Sequence, residues 1–347
     1  MCDKIDDTKK HKAIGLFSGG LDSILAAKLI EEQGFEVILF HFTSPFTNEF
    51  SRRGSRQPGR ESQVLKAAEE LGMKLHIFRA KQDYYDMVRN PIFGYGRNVN
   101  PCIDCRIHIL IKAREYMREV GADFIFTGEV LNQRPMSQHR SAMRQAEKAS
   151  GLLGYLLRPL SAKRIDETEV EKSGLIDREK LEGIEGRGRK SQQELAEKFG
   201  IQIKTQAAGG CLLTDVNYTK RVHDLFKHTD APGENEYMLL SLGRHFRLAD
   251  GQKIVVARDN GENPRLEKLA GEKDVLFEPD NFPGPVALLR GDYDDEVLQY
   301  VARFIVSHSR ARGEELQIRV TFADKSVKTI PAGEPVERRE LDKIRIG

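Results

Sequence analysis

The chain has 347 residues, 39% hydrophobic and 31% charged, with 55 Lys and Arg against 53 Asp and Glu for a net charge of +2. That length predicts two domains, each with enough apolar residues for a core, and the balanced charge leaves any nucleic-acid role to local patches. No apolar run reaches membrane-spanning length and no secretion signal opens the chain, so a cytoplasmic protein is expected, whose four cysteines suit metal or redox chemistry better than disulfides.

Residues 13–17 form a short apolar segment that predicts a strand. Ser18-Gly19-Gly20-Leu21-Asp22-Ser23 follows, then an apolar helical run over 24–30. That order reads strand, tight glycine turn, helix. Two glycines let the backbone curl so that several N–H groups converge, and the helix N-terminus and serine hydroxyls add to them. The result is a site for phosphate or pyrophosphate. It is not a Walker A loop, because no Lys follows the glycines at the required spacing.

Residues 35–42 read as a second buried strand, ending at Phe42 and Thr43. A loop over 43–59 carries arginines at or near its end, at 52, 53, 56 and 60. Helix is expected over 61–71, strand over 74–78, helix over 82–88, and a Gly/Asn/Pro loop over 90–101. A helix over 105–120 and a strand over 123–126 lead into Thr127-Gly128-Glu129. Strands alternating with helices predict an α/β domain with a parallel sheet. Ligands of such sheets bind at the carboxyl ends of the strands. Ser18, Thr43 and Thr127 all lie just past such ends and can meet around one nucleotide.

The stretch 163–200 is highly charged and suits exposed helices with a mobile loop over 182–189. A glycine turn at 208–210 precedes Cys211, and 217–225 reads as a helix. Short alternating segments then dominate, at 244–248, 253–257, 275–277 and 286–289. A helix over 295–309 and strands over 315–322 and 327–330 complete a smaller α+β domain. The boundary is expected near residue 230, giving domains 10–230 and 231–347.

Cys102 and Cys105 form a C-x-x-C pair at a helix start, where thiol pKa values fall. With Cys211 they can hold three irons of a [4Fe-4S] cluster and leave the fourth open for a hydrosulfide. Three cysteines also suit zinc with one outside ligand, or a catalytic dithiol. Cys2 is given no role.

Ser18 to Ser23 matches the Ser-Gly-Gly-x-Asp-Ser signature and resembles the PP-loop ATP pyrophosphatases, of adenine-nucleotide α-hydrolase-like fold. The resemblance implies cleavage of ATP between the α and β phosphates and adenylation of a substrate oxygen. Pro101-Cys102-Ile103-Asp104-Cys105 resembles the cysteine motif of tRNA 2-thiouridylases. Thr127-Gly128-Glu129 with Gln133, Met136, Ser137 and Gln138, and then Arg158-Pro159-Leu160, resembles 4-thiouridine synthetases. The accessory RNA-binding module and rhodanese-like segment of those enzymes are not evident, so the modified nucleoside stays open. Residues 242–290 resemble the NFACT RNA-binding domain, through Ile254 to Asn260, Glu262-Asn263, Leu266 to Ala270, Phe277, Pro283 to Val286 and Leu289-Arg290. The match departs at Glu278-Pro279. Arg258, Asn260, Asn263, Arg265 and Lys268 form its polar and basic set, with Arg290, Arg303, Arg310 and Arg312 beside them.

Together these resemblances imply an ATP-dependent tRNA sulfurtransferase. Ser18, Gly19, Gly20 and Ser23 would grip the pyrophosphate of ATP, and Asp22 would hold Mg²⁺ against it. Phe42, Thr43, Thr127, Gly128 and Gln133 would complete the nucleotide site. Cys102, Cys105 and Cys211 would deliver sulfur, from a [4Fe-4S] cluster or a persulfide, drawn from sulfide or a persulfide protein. The rivals are a PP-loop enzyme acting on a small molecule and a non-catalytic RNA-binding factor.

Overall fold

The computed structural model describes residues 10–47, 60–134, 137–201, 210–313 and 315–347. Cys2, Arg52, Arg53, Arg56, Met136, Ala208 and Gly209 lie outside the described residues. One compact unit runs to Cys211, and a second begins at Leu212 and takes in Arg97–Val99. Among the described residues no helix is long and apolar enough to cross a membrane.

The first unit opens with β1 (Lys12–Leu16), α1 (Leu21–Glu31) and β2 (Glu36–Thr43), then α2 (Arg60–Leu71), β3 (Lys74–Arg79) and α3 (Gln82–Arg89). It continues through α4 (Cys102–Glu119), β4 (Phe124–Thr127), α5 (Arg140–Ser150), β5 (Leu156–Leu157), α6 (Glu169–Lys172) and α7 (Lys190–Lys198). The five strands form a sheet in the order β3-β2-β1-β4-β5, every neighbouring pair parallel. β2 is buried from Val37 to Thr43, as befits a strand covered on both faces. α1 buries Ser23 to Ala27, Leu29 and Ile30, so it is a core helix rather than an amphipathic one. The chain builds outward from β1 to β3, then crosses to β4 on the other side. That reversal leaves a crevice at the carboxyl ends of β1 and β4, where such sheets hold ligands. Leu16 pairs with Thr127 there, bringing the loops after the two strands side by side.

The segment 182–189, expected to be mobile, is pinned by backbone bonds. Glu182 N donates to Pro159 O (2.8 Å), Ile184 N to Leu160 O (2.8 Å) and Gly186 N to Leu131 O (2.8 Å). Charge alone suggested looseness, but the segment's amides found fixed acceptors in the Arg158-Pro159-Leu160 stretch and beyond β4.

The second unit contains α8 (Val216–His228), α9 (Glu234–Leu239), β6 (Arg244–Arg247), β7 (Lys253–Val256), α10 (Asn263–Leu269), β8 (Val275–Pro279), β9 (Ala287–Arg290) and α11 (Asp295–Ser307). β10 (Gln317–Thr321), β11 (Val327–Pro331), α12 (Arg338–Ile344) and β12 (Arg345–Ile346) complete it. Its antiparallel sheet runs β11-β10-β8-β9-β7-β6-β12. Val301, Ala302, Phe304 and Ile305 of α11 are fully buried in one core with Phe246, Ile254 and Phe277. A second core gathers Leu239, Leu242, Val255, Leu266 and Leu288.

The unit boundary falls earlier than residue 230 because α8 belongs to the second sheet. Tyr218 donates to Tyr237 O (3.0 Å) and Arg221 to Leu240 O (2.8 Å). Asp224 accepts from Arg247 (2.6 Å) and Lys253 (3.1 Å). Buried polar groups need partners, and Tyr218, Arg221 and Asp224 of α8 find theirs in this unit.

Candidate active site

The loop after β1 has the conformation its glycines predict. Gly19 sits at φ +68°, the left-handed region, and a Cβ there would lie 3.2 Å from Val64 Cγ2. Gly20 caps α1 without a side-chain bond, so the first N–H groups of the helix, at Leu21 and Asp22, remain available to a ligand, while those of Ser23 and Ile24 donate to Gly20 O. Ser23 fixes the turn from inside. Its hydroxyl donates to Gly20 O (2.8 Å) and accepts from Ser18 N (3.3 Å).

Gly128 makes a close approach to backbone. A Cβ at this position would lie 2.5 Å from the Asp22 carbonyl carbon and 2.6 Å from Ser23 N. The strand-end loop after β4 therefore rests backbone to backbone on the start of α1. Gln133, further along, donates to Asp22 Oδ2 (3.2 Å), while Asp22 Oδ1 is buried with no partner. A buried carboxylate oxygen without a donor is costly unless a ligand or cation meets it. The arrangement fits a hard cation held between Asp22 and phosphate oxygens.

These groups line a cleft of about 360 Å³, the size of a small-ligand site. Ser18, Gly20, Asp22, Ser23, Phe42, Thr127, Gly128 and Gln133 all line it, as do Cys102, Cys105 and Cys211. Two expected residues do not. Gly19 serves the turn, and Thr43 is buried within the sheet in register with Arg79.

Several lining residues were missed. Glu129 appeared in the sequence only as part of a motif. It is 2.9 Å from Arg106 and 3.1 Å from Arg158, and Arg158 is in turn paired with Glu147. Burial works against charge on Glu129, but the two guanidiniums prevail and hold its carboxyl below the usual range. Arg106 follows the C-x-x-C pair directly, and a basic residue beside two thiols was the available signal. Tyr84, Arg134 and Arg189 also face the cleft, and nothing in their local pattern announced it.

The cysteines are thiols, each partly exposed. Contrary to the expectation for a helix start, burial raises the Cys102 thiol above its ordinary value and pushes Cys105 up to about 11. Desolvation outweighs the helix dipole, whose effect is modest and confined to the first turn. The Tyr84 hydroxyl lies 3.2 Å from Cys105 Sγ and works the other way, favouring the thiolate. Asp104, between the two cysteines, accepts from Ile92 N (2.8 Å) and Phe93 N (3.1 Å), and so ties the 90–101 loop to α4. Among the described residues no three His, Cys, Asp or Glu side chains are grouped to hold a metal ion. Three thiols share the cleft, but among the described residues they are not grouped as the expected [4Fe-4S] or zinc site would require.

Residues 11–178 match the family model described as the tRNA methyl transferase HUP domain, and residues 243–345 match the NFACT protein RNA binding domain. The first match falls on the parallel-sheet unit and the second on the antiparallel one, and each part of the chain is similar to the family so described. Among its relatives is the tRNA-specific 2-thiouridylase MnmA of Pediococcus pentosaceus, 25% identical over 61% of this chain and 54% of that protein. The enzyme of the same name from Listeria monocytogenes serotype 4b is 23% identical over 92% of this chain and 89% of that one. The chain thus spans about half of the first relative and most of the second. A solved 4-thiouridine synthetase–RNA complex with bound ATP is 21% identical over 55% of this chain and 52% of that chain, with a TM-score of 0.34.

In the region that matches the NFACT RNA binding domain, the basic set is largely paired internally. Arg258 bonds Glu262 (2.9 Å) and Ser241 O (2.6 Å), and Arg290 bonds Asp274 (2.6 Å). Asn263 accepts from Val286 N (3.1 Å), and Arg303 and Arg312 donate to backbone carbonyls. Lys268 and Arg310 are exposed.

Proposed function

We propose that this chain is an ATP-dependent tRNA sulfurtransferase. One observation carries the reading. The loop at Ser18 to Ser23, with the unmatched Asp22 oxygen, faces the same cleft as Cys102, Cys105 and Cys211. The relatives named 2-thiouridylases and the RNA-binding domain at 243–345 support tRNA as the activated molecule.

ATP is held by the N–H groups at the start of α1 and the hydroxyls of Ser18 and Ser23. Asp22 is placed to hold Mg²⁺, which when bound neutralises phosphate charge. A uridine carbonyl oxygen attacks the α-phosphorus, and the bond to the β-phosphate oxygen breaks to release pyrophosphate. The base now carries AMP on that oxygen. A persulfide on Cys105 or Cys211, formed by taking the outer sulfur of a persulfide protein whose own cysteine leaves as thiolate, attacks the activated carbon with its outer sulfur, and AMP leaves with the oxygen. The other thiol attacks the cysteine sulfur, breaks the S–S bond and leaves sulfur on the base. The cysteine disulfide so formed is reduced by an external thiol.

The test is incubation of the full chain with tRNA, ATP, Mg²⁺ and a persulfide donor, followed by mass spectrometry of the digested nucleosides. The expected product is 2-thiouridine or 4-thiouridine, matched one to one by pyrophosphate. Asp22→Asn and Cys105→Ser are expected to reduce it by at least ~100-fold. Pyrophosphate release that ignores tRNA and yields no thionucleoside would favour the small-molecule rival. RNA binding without ATP binding would favour the non-catalytic one. Iron and sulfide assays on anaerobically purified protein are expected to find neither at stoichiometric level.

A further inference from the structure

Arg106 and Arg158 flank the same carboxylate but differ in what they do with their donors. Arg158 is held between two carboxylates, with Nε on Glu129 Oε2 (3.1 Å) and Nη1 on Glu147. Arg106 Nη2 lies 2.9 Å from Glu129 Oε2 and is buried, yet it is not aligned to donate a hydrogen bond. Among the described residues Glu129 is the one ion-pair partner of Arg106. Its charge is anchored by that one contact, while the side chain lines the cleft. A buried donor in that state is costly unless the ligand completes it.

Position narrows the ligand. Arg106 is the residue after Cys105 on α4, so it stands on the sulfur side of the cleft. Its anchor, Glu129, follows Gly128, whose backbone touches Asp22 and Ser23. Arg106 is therefore held between the loop proposed to grip pyrophosphate and the thiols. In the reaction proposed above, the group between those two is the α-phosphate, first of ATP and then of the AMP carried by the base. We propose that Arg106 contacts the α-phosphate and neutralises it as AMP leaves during sulfur transfer. A planar guanidinium suits two phosphate oxygens at once. Glu129 is its positioning residue.

This inference rests on reading the cleft as an ATP site, and the experiment separates the two. Calorimetric titration of the full chain with AMP, Mg·ATP and pyrophosphate compares wild type, Arg106→Gln and Arg106→Lys, with melting temperatures measured alongside. Glu129 keeps Arg158 when Arg106 is replaced, so the variants are expected to fold. Arg106→Gln is expected to weaken AMP and ATP by ~10- to 100-fold and to leave pyrophosphate unchanged. Arg106→Lys, which keeps the charge but loses the fork, is expected to fall between. A folded Arg106→Gln that binds AMP like wild type overturns the proposal. So does an equal loss for pyrophosphate, which would move Arg106 to the β and γ end. If wild type binds no ATP, the reading of the cleft fails and the inference fails with it. If wild type binds ATP but makes no thionucleoside, the Arg106 comparison still decides the inference alone.

Discussion

A methyl group at position 128 would overlap backbone, because the nearest atoms are the Asp22 carbonyl and Ser23 N rather than a yielding side chain. Gly128→Ala must push the loop after β4 away from α1. It is expected to cost about 1–3 kcal/mol and to weaken ATP binding, read by thermal melting and calorimetry. Cys105 offers a second test at this scale. Its ordinary value is 9.0 and burial pushes it up to about 11. The fold thus favours the neutral thiol. The stability this contributes is complete below pH 9 and is lost as pH rises from 9 to 11, because the unfolded chain gives up its proton first. Site-resolved alkylation by iodoacetamide should show a Cys105 midpoint near 11. Tyr84→Phe removes the hydroxyl that favours the thiolate, so Cys105 should then react roughly threefold to tenfold more slowly at pH 8. Unchanged or faster alkylation would contradict the Tyr84 contact.

Among elements, α8 most clearly divides what was legible from what was not. Its helical character was readable, but its allegiance was not, since Asp224, Arg221 and Tyr218 look like ordinary surface residues until their partners on the second sheet are known. Asp224 is 10% exposed and faces Arg247 and Lys253, themselves 18% and 5% exposed. Asp224→Asn strands both cations and is expected to cost about 3–5 kcal/mol, measured by urea unfolding of the full chain. A fragment starting at Leu212 should give a cooperative unfolding transition, and one starting at Ala231 should not. The parallel sheet and its loops were readable because hydrophobic runs, glycine turns and strand order are local signals. The Arg106–Glu129–Arg158–Glu147 chain was not, because its members lie far apart in sequence and only the fold brings them together. Thr43 shows the opposite limit. A strand end was located correctly, yet which face its side chain took depended on the pleat.

For the whole molecule, net charge says little about RNA affinity, and the state of individual cations says more. Arg258 and Arg290 are neutralised by Glu262 and Asp274, while Lys268, Arg310 and Arg312 are exposed and among the candidates for phosphate. Binding of single-stranded RNA to the full chain should therefore weaken with salt as a shallow function. Lys268→Ala and Arg310→Ala should each reduce the log–log slope by ~0.7, measured by fluorescence anisotropy between low and high salt. If both leave the slope untouched, the RNA backbone is held elsewhere.

The raised pKa of Cys105 also sets how the protein weathers an oxidising cell. Peroxide attacks thiolates, and a midpoint near 11 leaves only ~1 molecule in 10⁴ in that form at pH 7. The resting protein should survive peroxide that inactivates an exposed low-pKa cysteine. Damage should concentrate in the interval when sulfur is loaded, since a persulfide ionises far more readily than the thiol it replaces.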